Sequence, residues 1–266
     1  MKAHARLTAE LDPASGRTRL RELRSMAPLT LFPKRGGGTA QVHLVSSATT
    51  PLGGDELTLT VRVGPGASLR LSGVAATLAL PGSHGEPSSA AVHLEVAEDA
   101  TLEYLPEPTV VTARARHTAT LTASLADGAR LRTSEVLVLG RDSERPGGLV
   151  TTTNVTRGAV PLLRQRLMIG DPLLDASAAY LAGRKVLASE VLVWGADPAE
   201  AVGGDWWSVT PLAAGGTLLT ALAPDAVEAG ARLAVARRHH PGWTPGCHDP
   251  VAPVTDQTVS PRSGNP

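Results

Sequence analysis

The sequence predicts a mainly β protein, with a large multi-stranded, solenoid-like or stacked β-sheet scaffold and one or two helices near the C-terminus. Apolar and polar residues alternate with a period of two at residues 57–63 and 92–96, which is typical of half-buried strands. The chain also contains 27 glycines and 21 prolines but only 3% aromatic residues. Its core must therefore be built from valine, leucine and alanine between many sharp turns, which favours β architecture.

Further strands are predicted wherever an apolar run is bounded by Gly, Pro or Asp. These runs lie at residues 121–125, 131–139, 149–155, 163–169 and 190–194. Three turn-and-strand units also recur about thirty residues apart, a spacing found in stacked β units. They are Gly66-Ala67-Ser68-Leu69, Asp99-Ala100-Thr101-Leu102 and Gly128-Ala129-Arg130-Leu131. Two interpretations stay open, a genuine structural repeat and the common appearance of any tight turn that enters a strand.

The C-terminal region has a different pattern. Pro224-Asp225 is a helix start signal, and the segment that follows places Val227, Ala231, Ala234 and Val235 on one side. Beyond Pro241 the composition turns to Pro, Gly, Ser, Asp and Asn. We therefore expect one β-rich domain over residues 1–240 and a flexible tail over residues 241–266.

Charge and cysteine usage narrow the functional classes. Lys plus Arg number 25 and Asp plus Glu number 25, so no net charge attracts nucleic acid or an anionic membrane surface. The single cysteine, Cys247, excludes an internal disulfide and a zinc site built on several thiolates, and it favours a reducing cytoplasm. The N-terminal segment has no secretory apolar block, and no run of about 18 apolar residues follows. We expect a cytoplasmic protein with neither nucleic acid nor membrane as a partner.

Common catalytic motifs are missing from the sequence. There is no Gly-x-x-x-x-Gly-Lys-Ser/Thr phosphate loop, no Gly-x-Ser-x-Gly elbow and no His-Glu-x-x-His pair. The scarcity of aromatic residues disfavours a polysaccharide-binding module. His239, His240, Cys247 and His248 could together hold a metal ion transiently, but we favour a solvated tail because flexible ligands must first be ordered at an entropic cost.

Several sequence blocks occur in one order along the chain. They are Ala27-Pro28-Leu29; Thr49-Thr50-Pro51-Leu52-Gly53-Gly54-Asp55-Glu56-Leu57 with Gly64-Pro65-Gly66-Ala67; Leu102-Glu103-Tyr104-Leu105-Pro106 with Val110-Val111; Glu135-Val136-Leu137-Val138-Leu139-Gly140-Arg141; and Pro161-Leu162-Leu163-Arg164-Gln165-Arg166-Leu167. Together they resemble the UreD (UreH) family of urease accessory proteins. The resemblance covers residues 20–170 in collinear order and, thinly, residues 216–238.

The resemblance implies a non-enzymatic β-rich scaffold with no catalytic centre and no tightly bound cofactor. Such a protein would bind UreF, recruit the GTPase UreG through UreF, and dock on the urease apoprotein. Nickel would be a transient cargo that travels through an internal passage to the urease active site. A passage for a hydrated divalent cation requires weakly binding carboxylates and hydroxyls, because thiolate or poly-imidazole sites would trap the ion.

Asp55, Glu103 and Glu135 are the candidate residues for such a passage. Asp55 could instead cap its own turn by accepting backbone N–H bonds. Glu103 and Glu135 lie on strands with apolar neighbours, so each could instead form a buried salt bridge with an arginine such as Arg132 or Arg114. A rival hypothesis from another class is a β-fold hydrolase that uses two of the three acids as a pair.

Overall fold

The computed structural model describes residues 1–35, 39–83 and 85–243. This part of the chain forms eighteen β-strands and two α-helices. The first nine strands are β1 (Lys2–Asp12), β2 (Arg17–Arg24), β3 (Leu29–Lys34), β4 (Ala40–Ser46), β5 (Glu56–Val63), β6 (Ser68–Gly73), β7 (Thr77–Ala79), β8 (Ser88–Val96) and β9 (Thr101–Leu105). The remaining strands are β10 (Thr109–Val111), β11 (Arg116–Leu125), β12 (Arg130–Leu139), β13 (Gly148–Arg157), β14 (Val160–Ile169), β15 (Val186–Val193), β16 (Val202–Gly204), β17 (Trp207–Pro211) and β18 (Thr217–Ala223). The helices are α1 (Pro172–Ala176) and α2 (Ala226–Arg237).

The strands of the described residues form two sheets that pack face to face. The first sheet has the order β14-β13-β11-β8-β5-β1-β2, and the second has the order β16-β17-β18-β15-β12-β9-β6-β4-β3, with β10 and β7 paired beside β12. In the middle of the chain, successive strands belong alternately to the two sheets. The strands β5, β8 and β11 lie side by side and parallel in the first sheet, and β6, β9 and β12 lie side by side and parallel in the second. The predicted solenoid-like, stacked β arrangement is confirmed.

The thirty-residue pattern marks the turns of this solenoid. Gly66, Asp99 and Gly128 have φ angles of 65°, 54° and 69°, the left-handed region that Gly enters freely and Asp tolerates better than most residues. The alanine after each of them is buried. Successive turns are joined by backbone hydrogen bonds, from Thr101 N–H to the Ala67 carbonyl (2.9 Å) and from Arg130 N–H to the Ala100 carbonyl (2.8 Å). The pattern is therefore a genuine structural repeat.

Helix α2 begins where the sequence predicts, because the Asp225 side chain accepts a hydrogen bond from Glu228 N–H (2.8 Å) as an N-cap. The prediction for its packing side was wrong. Ala229, Leu233 and Ala236 are buried against β15, β17 and β18, while Val227 is 85% exposed. The buried side follows the i, i+4, i+7 positions that face the outer surface of the second sheet.

The described chain ends in a packed segment. His240 and Trp243, which follow α2, are both buried, and Trp243 contacts Trp194 with ring centroids 5.7 Å apart. The remainder of the predicted tail, residues 244–266 with Cys247 and His248, lies outside the described residues. No helix in the described ranges is long and apolar enough to cross a membrane.

Candidate functional site

A cavity of about 190 Å³ lies between the two sheets. Its walls include apolar side chains from the first sheet, such as Leu57, Val92 and Leu121. On β12, however, Thr133 and Glu135 face the cavity and stand between the core residues Leu131 and Leu137. The apolar core is therefore interrupted at the centre of this strand.

One strand of the facing sheet and one neighbour of β12 have the same interruption. On β13, Thr151 and Thr153 line the cavity between the core residues Leu149 and Val155, and on β15 Ser189 lines it before Val191. We call the set Thr133, Glu135, Thr151, Thr153 and Ser189 the polar layer. Sequence reasoning identified only Glu135 of this set. The other members could have been found by a simple sequence signal. Each is a polar residue at an inward-facing position of a strand whose inward-facing positions before and after the polar residues are apolar.

Glu135 lies in this layer without a cation. Its Oε1 accepts a hydrogen bond from the Thr151 hydroxyl (2.7 Å), and it forms no ion pair with any described residue, so the expected salt bridge to Arg132 or Arg114 is not found. Burial raises the pKa of Glu135, and the hydrogen bond from Thr151 only partly opposes this effect. The side chain keeps some accessible surface because it borders the cavity.

Other polar groups of the cavity wall are also incompletely satisfied. The Thr133 hydroxyl is buried and has no hydrogen-bond partner among the described residues. His117, at the start of β11, lines the cavity with its Nδ1 atom 2.8 Å from the Ser88 hydroxyl oxygen. Burial lowers the pKa of His117 to about 4, so the ring is neutral at physiological pH. The exposed Glu107, which the sequence analysis did not single out, lies at the rim of the cavity.

Glu103 faces the opposite side of the second sheet. Arg132 donates from Nη1 to Glu103 (3.1 Å) and from Nε and Nη2 to Glu190 (3.1 and 3.3 Å). Arg237 of α2 places its Nε 2.9 Å from the same Glu190 carboxylate. We call Glu103, Arg132, Glu190 and Arg237 the ionic cluster. For Glu103 the structure therefore has the salt bridge to Arg132 that the sequence left open as an alternative to a place in the passage.

Aromatic and imidazole rings close the ionic cluster from outside. The Trp243 ring lies 4.6 Å from the Arg132 guanidinium carbon and 5.5 Å from that of Arg237, as in cation–π contacts. His240 is fully buried beside the cluster with Nε2 3.7 Å from Asp197 Oδ1. Burial lowers the pKa of His240, and the charge of Asp197 opposes this effect. His239 is exposed and stacks on Trp207, with ring centroids 5.0 Å apart.

Asp55 has the turn-capping contacts that the sequence allowed. Its carboxylate accepts hydrogen bonds from the Leu52 N–H (2.8 Å) and the Thr50 hydroxyl (2.8 Å), and from the Met1 amine (2.7 Å). Burial by itself raises the pKa of Asp55, but these three hydrogen bonds outweigh it and the pKa lies below its usual value.

The three predicted carboxylates therefore occupy three separate environments. Glu135 lines the cavity, Glu103 lies in the ionic cluster on the other side of the sheet, and Asp55 caps a loop before β5. In the part of the chain that the structure describes, no three His, Cys, Asp or Glu side chains are grouped so that they could hold a metal ion. The cavity offers scattered oxygen ligands rather than a closed site.

Comparison of the sequence with known proteins identifies the family of this chain. The model of the UreD urease accessory protein family matches residues 2–246. Urease accessory protein UreD 1 of Saccharopolyspora erythraea is 56% identical over 246 residues, covering 91% of this chain and 96% of the relative. UreD proteins of a Parafrankia species and of Streptomyces coelicolor are 39% and 36% identical, covering 88% and 85% of this chain and 86% and 92% of the relatives. The chain belongs to the UreD family of urease accessory proteins.

Proposed function

We propose that this chain is a non-enzymatic scaffold for urease maturation in the cytoplasm. It binds UreF, recruits UreG through UreF, docks on the urease apoprotein, and conveys nickel through the cavity between its two sheets. Nickel is a transient cargo, and no cofactor is held tightly. The observation that supports this proposal is the polar layer, which lines an interior cavity with one carboxylate and several hydroxyls.

The chemistry of the polar layer suits a cation that must leave again. Carboxylate and hydroxyl oxygens bind a divalent transition metal less tightly than clustered thiolates or imidazoles do. Conduction requires sites that are favourable enough to enter and weak enough to leave. Glu107 at the rim and Glu135 inside provide two such carboxylates along one cavity.

The energetic cost of Glu135 also argues for a functional role. A carboxylate enclosed between two sheets destabilises the fold unless a cation or several donors compensate it, and Thr151 is the one donor found among the described residues. An apolar residue would complete the core at this position, as Leu131 and Leu137 do on either side. A polar residue that costs stability is expected where function requires it.

The rival hydrolase hypothesis requires two of the candidate acids to flank one bond. Two carboxyl groups that act as an acid/base pair lie about 5 to 10 Å apart in a shared site. Glu103 and Glu135 face opposite sides of the second sheet, and Glu103 is bound to Arg132. The geometry therefore favours the scaffold over a hydrolase built on these acids.

Assembly is the first test of the proposal. The chain, co-expressed with its cognate UreF and UreG, should co-purify with both, because exposed apolar side chains such as Leu173 (88%), Met168 (57%) and Phe32 (54%) are covered when partners bind. Expressed alone, it should aggregate. A stable, soluble monomer that retains no UreF in a pull-down would contradict the proposal.

Nickel delivery is the second test. Glu135→Gln keeps the shape and the contact with Thr151 but removes the charge, so the variant should still bind UreF and urease yet deliver less nickel. The metal content of the purified urease measures this. The matched control is Glu95→Gln, which changes an exposed carboxylate paired with Arg62 on the outer surface of the first sheet. Normal nickel loading by Glu135→Gln would leave this residue with a structural role only.

A further inference from the structure

The cavity contains a single nitrogen ligand among its described lining residues, His117. The side chain is 5% exposed and projects inward from the second residue of β11. Every other polar side chain that lines the cavity is a hydroxyl or a carboxylate. His117 therefore differs in chemistry from everything else along the passage.

Ser88 fixes the orientation of this ring. Its hydroxyl oxygen lies 2.8 Å from Nδ1, and both side chains are buried. With Nδ1 engaged, Nε2 is the nitrogen left to bind a ligand. Metal-binding imidazoles are usually held in this way, through a hydrogen bond to the ring nitrogen that does not touch the metal. The ring is also neutral, as metal binding requires, because burial lowers the pKa of His117.

His117 lies close to the charged residue of the polar layer. It precedes Ala119 by two residues on β11, and Ala119 pairs with Thr151 of β13, whose hydroxyl donates to Glu135. His117 and Thr151 are therefore diagonal neighbours on the inner face of adjacent strands. The unpartnered Thr133 hydroxyl lines the same cavity.

His117 also lines a second pocket, at the end of β11 and β13. This pocket has a volume of about 330 Å³ and is lined in addition by Pro87, Leu149 and Asp171. Among the described lining residues it is the one shared by this pocket and the inner cavity. His117 therefore borders both spaces.

Oxygen ligands by themselves discriminate poorly against magnesium. Mg²⁺ prefers carboxylate, carbonyl and water oxygens, whereas imidazole suits Ni²⁺, Cu²⁺ and Zn²⁺. A passage with oxygen ligands only would therefore be occupied by abundant Mg²⁺. One imidazole adds preference for transition metals, while a single nitrogen does not form a trap.

We propose that His117 is the selectivity residue of the passage, whose Nε2 binds Ni²⁺ beside Glu135 and favours it over Mg²⁺. The inference rests on the proposed function, since it assumes that nickel enters this cavity. Ser88 is a positioning residue, because it acts through the imidazole and not on the metal.

The test uses the full chain purified in complex with UreF, titrated with NiCl₂ with and without excess MgCl₂. The main variant is His117→Asn, because the asparagine amide occupies the position of Nδ1, keeps the contact with Ser88 and removes the Nε2 ligand. Ser88→Ala removes the hydroxyl contact with Nδ1. The matched control is His93→Asn, because His93 is exposed on the outer face of the same sheet. Bound nickel is measured by metal analysis after equilibrium dialysis, and nickel X-ray absorption reports imidazole ligation.

In the presence of Mg²⁺, His117→Asn should raise the Ni²⁺ concentration for half-saturation by about 10- to 100-fold. The same variant should lose the imidazole signature in the X-ray absorption spectrum. Ser88→Ala should raise the half-saturating Ni²⁺ concentration by about tenfold. His93→Asn should match the wild type. Competition by Mg²⁺ that is unchanged in His117→Asn would overturn the inference. If His117→Asn does not fold and so does not co-purify with UreF, Ser88→Ala decides, and unchanged competition there overturns it equally.

The outcome separates this inference from the proposed function. A wild-type complex that does not raise the nickel content of urease refutes the passage itself. If the wild-type complex loads urease with nickel and the His117→Asn complex does so equally well in the presence of Mg²⁺, only the selectivity role of His117 is refuted.

Discussion

Arg132 and Thr133 are consecutive residues of β12, yet they face two polar environments that differ in kind. Arg132 lies in the ionic cluster, where two carboxylates and two guanidinium groups compensate one another. Thr133 faces the cavity, where its hydroxyl has no partner among the described residues and Glu135 has no cation. In the first region the buried charges are paired with one another, and in the second the carboxyl group of Glu135 has no cationic partner among the described residues.

The difference indicates which polar residues fix the structure and which are available to a ligand. Buried charges that hold a fold together are paired and hydrogen-bonded, because each unpaired charge costs several kcal/mol. The charges of the ionic cluster are paired, and Arg237 ties α2 to the second sheet through its ion pair with Glu190. The cavity does not meet this condition, so its polar groups are better explained by a visiting ion or by water than by stability.

The largest effect is expected from breaking the ionic cluster. Arg132→Met preserves much of the side-chain volume but leaves Glu103 and Glu190 without the cation that binds both, so we expect a loss of about 3–5 kcal/mol in the free energy of unfolding. The measurement is the thermal unfolding midpoint of the chain purified with UreF. Arg62→Met, which breaks an exposed ion pair with Glu95, is the control and should change stability by less than about 1 kcal/mol. Equal midpoints for the two variants would show that the paired charges of the cluster do not hold the fold together.

Acid should affect the cavity through His117. Its pKa is lowered from 6.5 to about 4 in the folded chain, so the unfolded chain takes up a proton first as the pH falls. The stabilising contribution is complete above pH 6.5 and is lost on the way down to pH 4, a difference on the order of 3 kcal/mol. His117→Asn should therefore make the unfolding midpoint less sensitive to pH across this window. An unchanged pH dependence would assign the acid sensitivity to other groups, such as His240 in the ionic cluster region, whose pKa is also lowered by burial.

The smallest effect is expected from Thr133→Val. Valine has the shape of threonine without the hydroxyl, so the change removes a buried polar group that lacks a partner and should stabilise the chain by about 1 kcal/mol. Its sign is opposite to that of Arg132→Met, one residue away. Thermal unfolding of both complexes measures the contrast. A loss of stability in Thr133→Val would mean that the hydroxyl is satisfied in solution and that the two regions are alike.

Local sequence signals determined a large part of this fold. Period-two alternation and bounded apolar runs located seven of the eighteen strands of the described residues, namely β5, β8 and β11 to β15. The thirty-residue spacing of Gly66, Asp99 and Gly128 marked the turns of the solenoid, and Asp225 marked the start of α2. Each of these signals depends on neighbours in the chain, either through side-chain direction or through the φ angle of one residue. The turn-capping interpretation of Asp55 succeeded for the same reason, because Leu52 and Thr50 are close in sequence.

The tertiary structure decided which side of each strand faces what. On β9, Leu102 and Tyr104 are apolar and Glu103 is not, so the sequence alone distinguishes the core-facing side of this strand from the other side. On β12 both sides carry apolar residues, because the first sheet covers one side and α2 covers the other. Alternation loses its meaning on a strand that is buried on both faces. The assignment of Glu103 to Arg132 and of Glu135 to the cavity therefore depended on packing between elements distant in sequence, as did the outward direction of Val227 on α2.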